Sequence, residues 1–501
     1  MGKRKKSRQN FIFATLNQII TLVFGLLLPR LFLVGYGSEV NGLLNSLSQI
    51  LVYLGLFEAG IGAATMQALY KPVAREDWGA INGVLAATDY YYKRAGLYYF
   101  ISLVIFSLVY PLLVNTTLSF ATVCGVVFFS GIGNVVLFWV QGKYRFLLET
   151  DGKLYIVTNL NTGIFVVTSL AKIVLIARGA NVVLILAAVF AISLLQVFYI
   201  VYYVHRVYPQ LDLKVEADHT SISQKSYALV HQISTLIFNN TDVIILTFVC
   251  GLKTVSVYSL FKLITSHLNK ILWIFPGSVN FVMGQTYHTD REKYTRYLDL
   301  VESGYSVLLY GFYAVAFYLF LPFMRLYTAG VTDANYIDPA LPIFFVLIEL
   351  LSGSRGVIGQ TISYAGHFRQ TLSRTITESA INLTVSLVGV CFWGIYGVLL
   401  GTIVALAYRT NDIIIYVNIR LLGRKPWRTY SIYLTNVVLF VVLQFVFKTM
   451  IPEPTSWLQF ILVGTGTLAI SLTVLLLGQI LCQKHVREAI RAWCGKMLKK
   501  Q

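Results

Sequence analysis

About fourteen apolar stretches, each long enough to cross a bilayer, follow one another along the chain, and Lys and Arg gather in every second connection between them. A membrane-crossing helix needs roughly 20 mostly apolar residues, and basic residues concentrate in cytoplasmic loops. The two patterns together require an all-α integral membrane protein with one fixed orientation. Hydrophobic residues make up 56% of the 501 and charged ones only 12%, more apolar side chain than a soluble core could cover. The formal net charge of +18 is spread over short connections rather than packed on one element. The positive-inside bias accounts for it, and no nucleic-acid partner is expected.

The spans fall near 10–34, 43–69, 95–114, 119–142, 154–177, 182–204, 227–249, 255–284, 304–323, 338–366, 372–394, 397–419, 433–451 and 456–482. One set of connections holds Lys3 to Arg8, Lys71, Arg75, Lys93, Arg94, Lys143, Arg145, Lys153, Arg206, Arg291, Arg369, Arg424, Lys425, Arg428 and the tail from Lys484 to Lys500. The opposite set holds only Arg178, Lys253, Arg325 and Lys448. Both termini are therefore expected in the cytoplasm. The first apolar run, too long for a signal peptide and without an A-x-A site, reads as an uncleaved span. The tail from Gln483 to Gln501 reads equally as a short interfacial helix on anionic lipid or as a solvated basic tail.

A shift of 216 residues lays Arg75-Glu76-Asp77-Trp78 over Arg291-Glu292-Lys293-Tyr294 and Gly35-Tyr36 over Gly251-Leu252, at matching places in the topology. The expected organisation is two parallel six-helix lobes, 1–204 and 227–420, joined by a cytoplasmic link at 205–226 and followed at 421–501 by two extra spans and a basic tail. Five scattered cysteines form neither a disulfide framework nor a zinc motif. No P-loop, HExxH, G-x-S-x-G or D-x-D is present, and the longest outer connection, near 324–337, is too short for an enzyme domain. The expectation is a protein that is not an enzyme and needs no cofactor or metal.

Ionisable residues inside the spans carry the functional signal, because a charge at mid-bilayer costs about 2.5 to 3.5 kcal/mol on insertion scales. The basic set is Arg30, Lys172, Lys262, Lys270, Arg355 and Arg409; the acidic set is Glu58, Asp242, Glu349, Glu378 and Asp412. Tyr258, Lys262, Ser266, Asn269 and Trp273, with Lys270 beside them, recur at helical spacing and mark a polar, basic face. A similar stripe runs through His231, Thr235, Asn239 and Asp242. Arg409 with Asp412 and Arg374 with Glu378 read as ion pairs within one helix; Lys172 lies near enough to an outer end to snorkel. Arg30, Lys262, Lys270, Arg355 and Arg409 are the candidates for holding an anionic head group, since fixed cations offset the cost of dehydrating phosphate. Asp242, Glu58 and Glu349 are the candidates for a counter-ion or a coupling ion.

Several segments resemble the polysaccharide transporters of the multidrug/oligosaccharidyl-lipid/polysaccharide (MOP) exporter superfamily, and the Wzx-like repeat-unit flippases in particular. They are Pro29-Arg30-Leu31 with Tyr36-Gly37-Ser38-Glu39-Val40-Asn41-Gly42-Leu43, Ala68-Leu69-Tyr70-Lys71-Pro72, Asn239-Asn240-Thr241-Asp242, Gly353-Ser354-Arg355-Gly356 with Tyr364-Ala365-Gly366-His367-Phe368, and Gly401-Thr402-Ile403 ahead of Tyr408-Arg409-Thr410. The resemblance implies fourteen helices in two lobes around a central cavity, in the bacterial cytoplasmic membrane. It implies outward transport of an undecaprenyl-pyrophosphate-linked oligosaccharide by alternating access, for capsule or exopolysaccharide assembly. Membrane lipids, a glycan polymerase and glycosyltransferases are the partners it suggests, with coupling to Na+ or H+ left open. Two other readings compete: an ion-coupled multidrug exporter of the same superfamily, and a non-transporting scaffold for glycan-synthesis enzymes.

Overall fold

The computed structural model describes residues 3–58, 61–220 and 240–488. It is helical throughout these residues, without strands. The chain divides into two compact units, Met1–Ser256 and Val257–Gln501.

The first unit holds α1 (Lys3–Leu54), α2 (Ile61–Ala74), α3 (Trp78–Leu113), α4 (Phe120–Val136), α5 (Gly142–Thr150), α6 (Leu154–Ala177) and α7 (Val182–Val207), then α8 (Asn240–Val249). α9 (Leu252–Leu272) begins in this unit and continues into the second. The second unit adds α10 (Ile274–Thr289), α11 (Arg291–Tyr327), α12 (Leu341–Tyr364), α13 (Phe368–Trp393), α14 (Ile395–Tyr416), α15 (Trp427–Met450) and α16 (Trp457–Cys482).

Eleven helices among the described residues are long and apolar enough to cross a membrane, so the chain is a multi-pass membrane protein. Three differences separate that number from fourteen. The first two expected spans run into one another as α1, broken at Gly37, whose φ of 81° and ψ of 179° suit only glycine. The expected span 255–284 is split at Trp273 into α9 and α10, because Pro276 lacks the N–H that would bond back to the Leu272 carbonyl one turn earlier. The seventh, 227–249, lies mostly outside the described residues, with His231, Thr235 and Asn239; its described part is α8. The tail beyond residue 488 is likewise outside them.

Close helix approach in each unit depends on small residues. A Cβ at Gly42 would come within 1.9 Å of the Leu252 carbonyl oxygen, so the start of α9 lies directly on the backbone of α1. Asn41 Nδ2 donates to Ser256 Oγ at 2.7 Å, and the Ser46 hydroxyl lies 2.9 Å from the Tyr110 hydroxyl and 2.8 Å from that of Thr247. These contacts tie residues 247–256 to the first unit. In the second unit, Gly397 and Gly401 of α14 meet Gly389 and Ser386 of α13 backbone to backbone, with a Cβ at Gly397 only 2.1 Å from Gly389. This small-xxx-small seam substitutes close van der Waals packing for the hydrophobic drive that lipid cannot supply. It also sets opposite each other the polar residues two and three turns before it on α13 and after it on α14.

α15 and α16, expected as two extra spans, pack against α11. Their seam is polar: Asn436 donates to Ser306 at 2.8 Å, and Gln479 donates to the Ile432 carbonyl at 2.9 Å and to Asn436 Oδ1 at 3.1 Å.

Candidate functional site

The intramembrane charges of the second unit sort into two groups with opposite surroundings. The first is the basic face of α9. Leu260, Phe261, Thr265 and Leu272 are buried, and the other side presents Lys262 and Lys270 exposed, with Ser266 half-buried between them. Eight residues of helix set the two lysines about 12 Å apart along the axis. Neither makes an ion pair among the described residues. Tyr258, expected on the same face, instead turns into the core against Phe345, with ring centroids 5.3 Å apart.

Behind that face, Asn269 Nδ2 donates to the buried Glu349 carboxylate at 2.5 Å, and the Tyr313 hydroxyl donates to Asn269 Oδ1 at 2.9 Å. Glu349 is thus held by α9, one residue from Lys270, through an amide that Tyr313 orients.

The second group is a chain of ion pairs across α12, α13 and α14. Arg355 Nη1 lies 2.5 Å from Glu378 Oε1, and Arg409 Nε lies 3.5 Å from Glu378 Oε2. Arg409 Nη1 reaches Asp412 at 2.5 Å and its Nη2 donates to Thr375 at 3.2 Å; Arg374 pairs with the other oxygen of Asp412. Three guanidiniums therefore share these two carboxylates. The Arg409–Asp412 pair within one helix forms as the spacing implied. Arg374 and Glu378, four residues apart, do not meet: Arg374 turns to Asp412 and stacks on Tyr416 at 4.7 Å, because the glycine seam brings the α14 acid nearer. Arg409 is buried at 6% exposure with its charge matched on both sides, whereas Arg355 and Arg374 lie at the half-exposed edge.

In the first unit, Glu58 closes a short 3-10 turn (Gly55–Glu58) and accepts a hydrogen bond from the Tyr92 hydroxyl. Asp242 is buried on α8, and Arg30 and Lys172 are half-buried on α1 and α6. A cleft of about 210 Å³ lies between α4 and α7, where the π-helical turn Leu137–Gln141 interrupts the α geometry. Ser130, Asn134, Ser193 and Gln196 line it with Phe129 and Phe190, so it is polar but uncharged.

Sequence reasoning missed two ion-pair clusters, both built from residues it assigned to cytoplasmic loops. Lys143 is buried and pairs with Asp89, which also holds the exposed Lys93 at 2.8 Å. At the start of α11, Asp299 and Glu302 are both fully buried. Asp299 pairs with Arg424 at 2.5 Å and with Arg428, and Arg424 lies 3.5 Å from Glu302. The available signal was spacing: Asp299 and Glu302 stand three apart and so present one face of α11.

No family model matches the sequence, and no curated protein does. Solved structures do match in fold. The lipid II flippase MurJ in an inward closed conformation superposes with a TM-score of 0.68 at 13% identity, covering 93% of this chain and 98% of its own. An inward-facing multidrug resistance MATE family transporter of the MOP superfamily gives 0.59 at 16% identity, over 79% of this chain and 95% of its own. MATE in a bent conformation gives 0.51 at 14% identity, over 84% and 94%. The chain has the fold that these structures share.

Proposed function

We propose that this chain is a flippase that moves a lipid-linked oligosaccharide repeat unit, carried on undecaprenyl pyrophosphate, outward across the bacterial cytoplasmic membrane for capsule or exopolysaccharide assembly. It works by alternating access, without enzymatic chemistry, from lobes at 1–204 and 227–420 joined by the link at 205–226, with both termini cytoplasmic. The observation that carries the reading is the pair of exposed ammonium groups on α9 that make no ion pair among the described residues. At bilayer depth each costs about 2.5 to 3.5 kcal/mol, so their face needs water and gains most from a doubly charged anion. The likeness in fold to a lipid II flippase supports a lipid-linked substrate.

The roles divide by burial. Lys262 and Lys270 attract the pyrophosphate first, and Arg355, at the edge of the ion-pair network, offers a planar fork for it. Arg409, matched by two carboxylates, positions Arg355 through Glu378 rather than touching substrate. Arg30 remains a head-group candidate by its charge within the first span. If Na+ or H+ drives the cycle, Glu349 is the first candidate because its carboxylate already answers to α9 through Asn269; Asp242 and Glu58 follow.

The test is transport of labelled carrier lipid in vesicles reconstituted with Lys270→Ala, Lys262→Ala and Arg355→Ala. Transport is expected to fall at least tenfold in the lysine variants with unchanged thermal unfolding. Wild-type transport by both lysine variants would remove the head-group site.

A further inference from the structure

The polar core where α11 meets α15 and α16 contains a carboxyl group whose surroundings do not suit a permanent charge. Glu302 has no solvent exposure, and among the described residues neither of its oxygens accepts a well-formed hydrogen bond. Its neighbour Asp299, one turn earlier, draws both local guanidiniums: Arg424 at 2.5 Å and Arg428. What is left for Glu302 is Arg424 Nη2 at 3.5 Å, an atom that is itself buried and makes no hydrogen bond among the described residues. The Thr429 hydroxyl, which accepts from Asn418 Nδ2 at 3.1 Å, faces Glu302 as a weak donor at most. Two further buried hydroxyls, on Tyr305 and Tyr433, also make no hydrogen bond among the described residues, and Tyr433 stands within electrostatic reach of Glu302.

An ionised carboxylate left in protein without hydrogen bonds costs several kcal/mol, and such a group takes up a proton instead. We propose that Glu302 is a proton-binding site, loaded in the state described here and emptied when Arg424 closes onto it. A movement of about half an ångström would turn the 3.5 Å separation into a charge-assisted hydrogen bond. The step balances: Glu302 releases its carboxyl proton to solvent at the inner end of α11, and Arg424 Nη2, still protonated, donates to the carboxylate that remains. Asp299 keeps Arg428 throughout.

The groups that face this site are Asp299, Tyr294 and Tyr305 from α11, Arg424 from the turn after α14, and Arg428, Thr429 and Tyr433 from α15; His485, beyond α16, reaches Asp299 and Ser303. Because Arg424 also bonds Asn418 Oδ1 at 2.5 Å, loading or emptying the site changes how the turn between α14 and α15 is held against α11. The proposal does not depend on the identity of any transported substrate.

The experiment compares the full-length wild type with Glu302→Gln, which copies the shape of the protonated acid, and Asp299→Asn. Thermal unfolding in detergent is recorded from acid to alkaline pH. A native carboxyl that stays protonated while its unfolded counterpart ionises makes stability fall as pH rises. The wild-type curve minus the Glu302→Gln curve is therefore expected to decline with pH, with Glu302→Gln the more stable protein at alkaline pH. Contributions of His485 and the tyrosines cancel in that difference. Asp299→Asn is expected to be less stable than wild type at every pH. A Glu302→Gln protein destabilised uniformly, as Asp299→Asn should be, would make Glu302 an ordinary ion-pair partner and overturn the proposal. Should Glu302→Gln not fold, the infrared band of a protonated carboxylic acid in wild-type protein at neutral pH decides. Its absence refutes the site; its loss in Glu302→Asp supports it, and persistence unchanged there assigns the band elsewhere and refutes it.

Discussion

Replacing Glu378 by Gln tests whether the chain of ion pairs across α12, α13 and α14 holds the second unit together. Glu378 is 5% exposed and sits between Arg355 at 2.5 Å and Arg409 at 3.5 Å. Gln fills nearly the same volume and still accepts a hydrogen bond, so packing is preserved and only the charge is lost. Removing one partner of a buried pair generally costs about 3 to 5 kcal/mol. Arg409 keeps Asp412 at 2.5 Å and Thr375 at 3.2 Å, and Arg355, with 18% of its side chain exposed, recovers some hydration. These compensations lower the expected loss to about 2 to 3 kcal/mol, roughly a hundredfold in the folded-to-unfolded ratio at its upper end. Reversible unfolding in mixed micelles measures it. A double-mutant cycle with Arg355→Gln should return a coupling of about 1 to 2 kcal/mol. A Glu378→Gln protein within about 0.5 kcal/mol of wild type, the spread of ordinary surface changes, would show that the pairs contribute nothing to stability and refute the reasoning.

Asp89→Asn should cost about 3 to 5 kcal/mol because it strands the buried Lys143, whereas Lys93→Ala, on the same carboxylate but 63% exposed, should change stability by less than about 1 kcal/mol; the two unfolding midpoints compared side by side check this. Gly397→Ala drives a methyl group to 2.1 Å from Gly389 and should destabilise by about 1 to 3 kcal/mol, while Gly466→Ala, with nothing within 4 Å, should be neutral or stabilising through helix propensity; thermal shift in detergent separates them. His485, bonded to Ser303 at 2.9 Å, is held below the ordinary histidine range chiefly by burial. The unfolded chain therefore binds its proton more readily, and stability should fall as pH drops through about 6.5 and below. His485→Gln should flatten that acid limb, read from unfolding midpoints between pH 5 and 8.

Much of the fold was legible because lipid imposes a simple rule: backbone polar groups must be satisfied within each span, so hydrophobic runs become helices. Even the breaks had local causes, glycine at 37 and proline at 276. The site was legible only by residue type. Lys262 and Lys270 could be placed on one face by counting in steps of three and four, and they do share it. Arg374 could not be assigned correctly that way, since spacing offers Glu378 and only the α13–α14 seam makes Asp412 nearer. Glu302 was passed over because a carboxylate close to the polar end of a long helix reads as solvated until its neighbours are known.

The amino-acid order alone therefore determined the helices, their approximate ends and which side chains carry charge into the membrane, since each follows from solvation along one chain. Tertiary structure alone decided which of those charges are matched and which are left bare. That depends on approach between helices remote in sequence, where a Cβ more or less at Gly389, Gly397 or Gly42 moves a partner by more than the reach of a hydrogen bond.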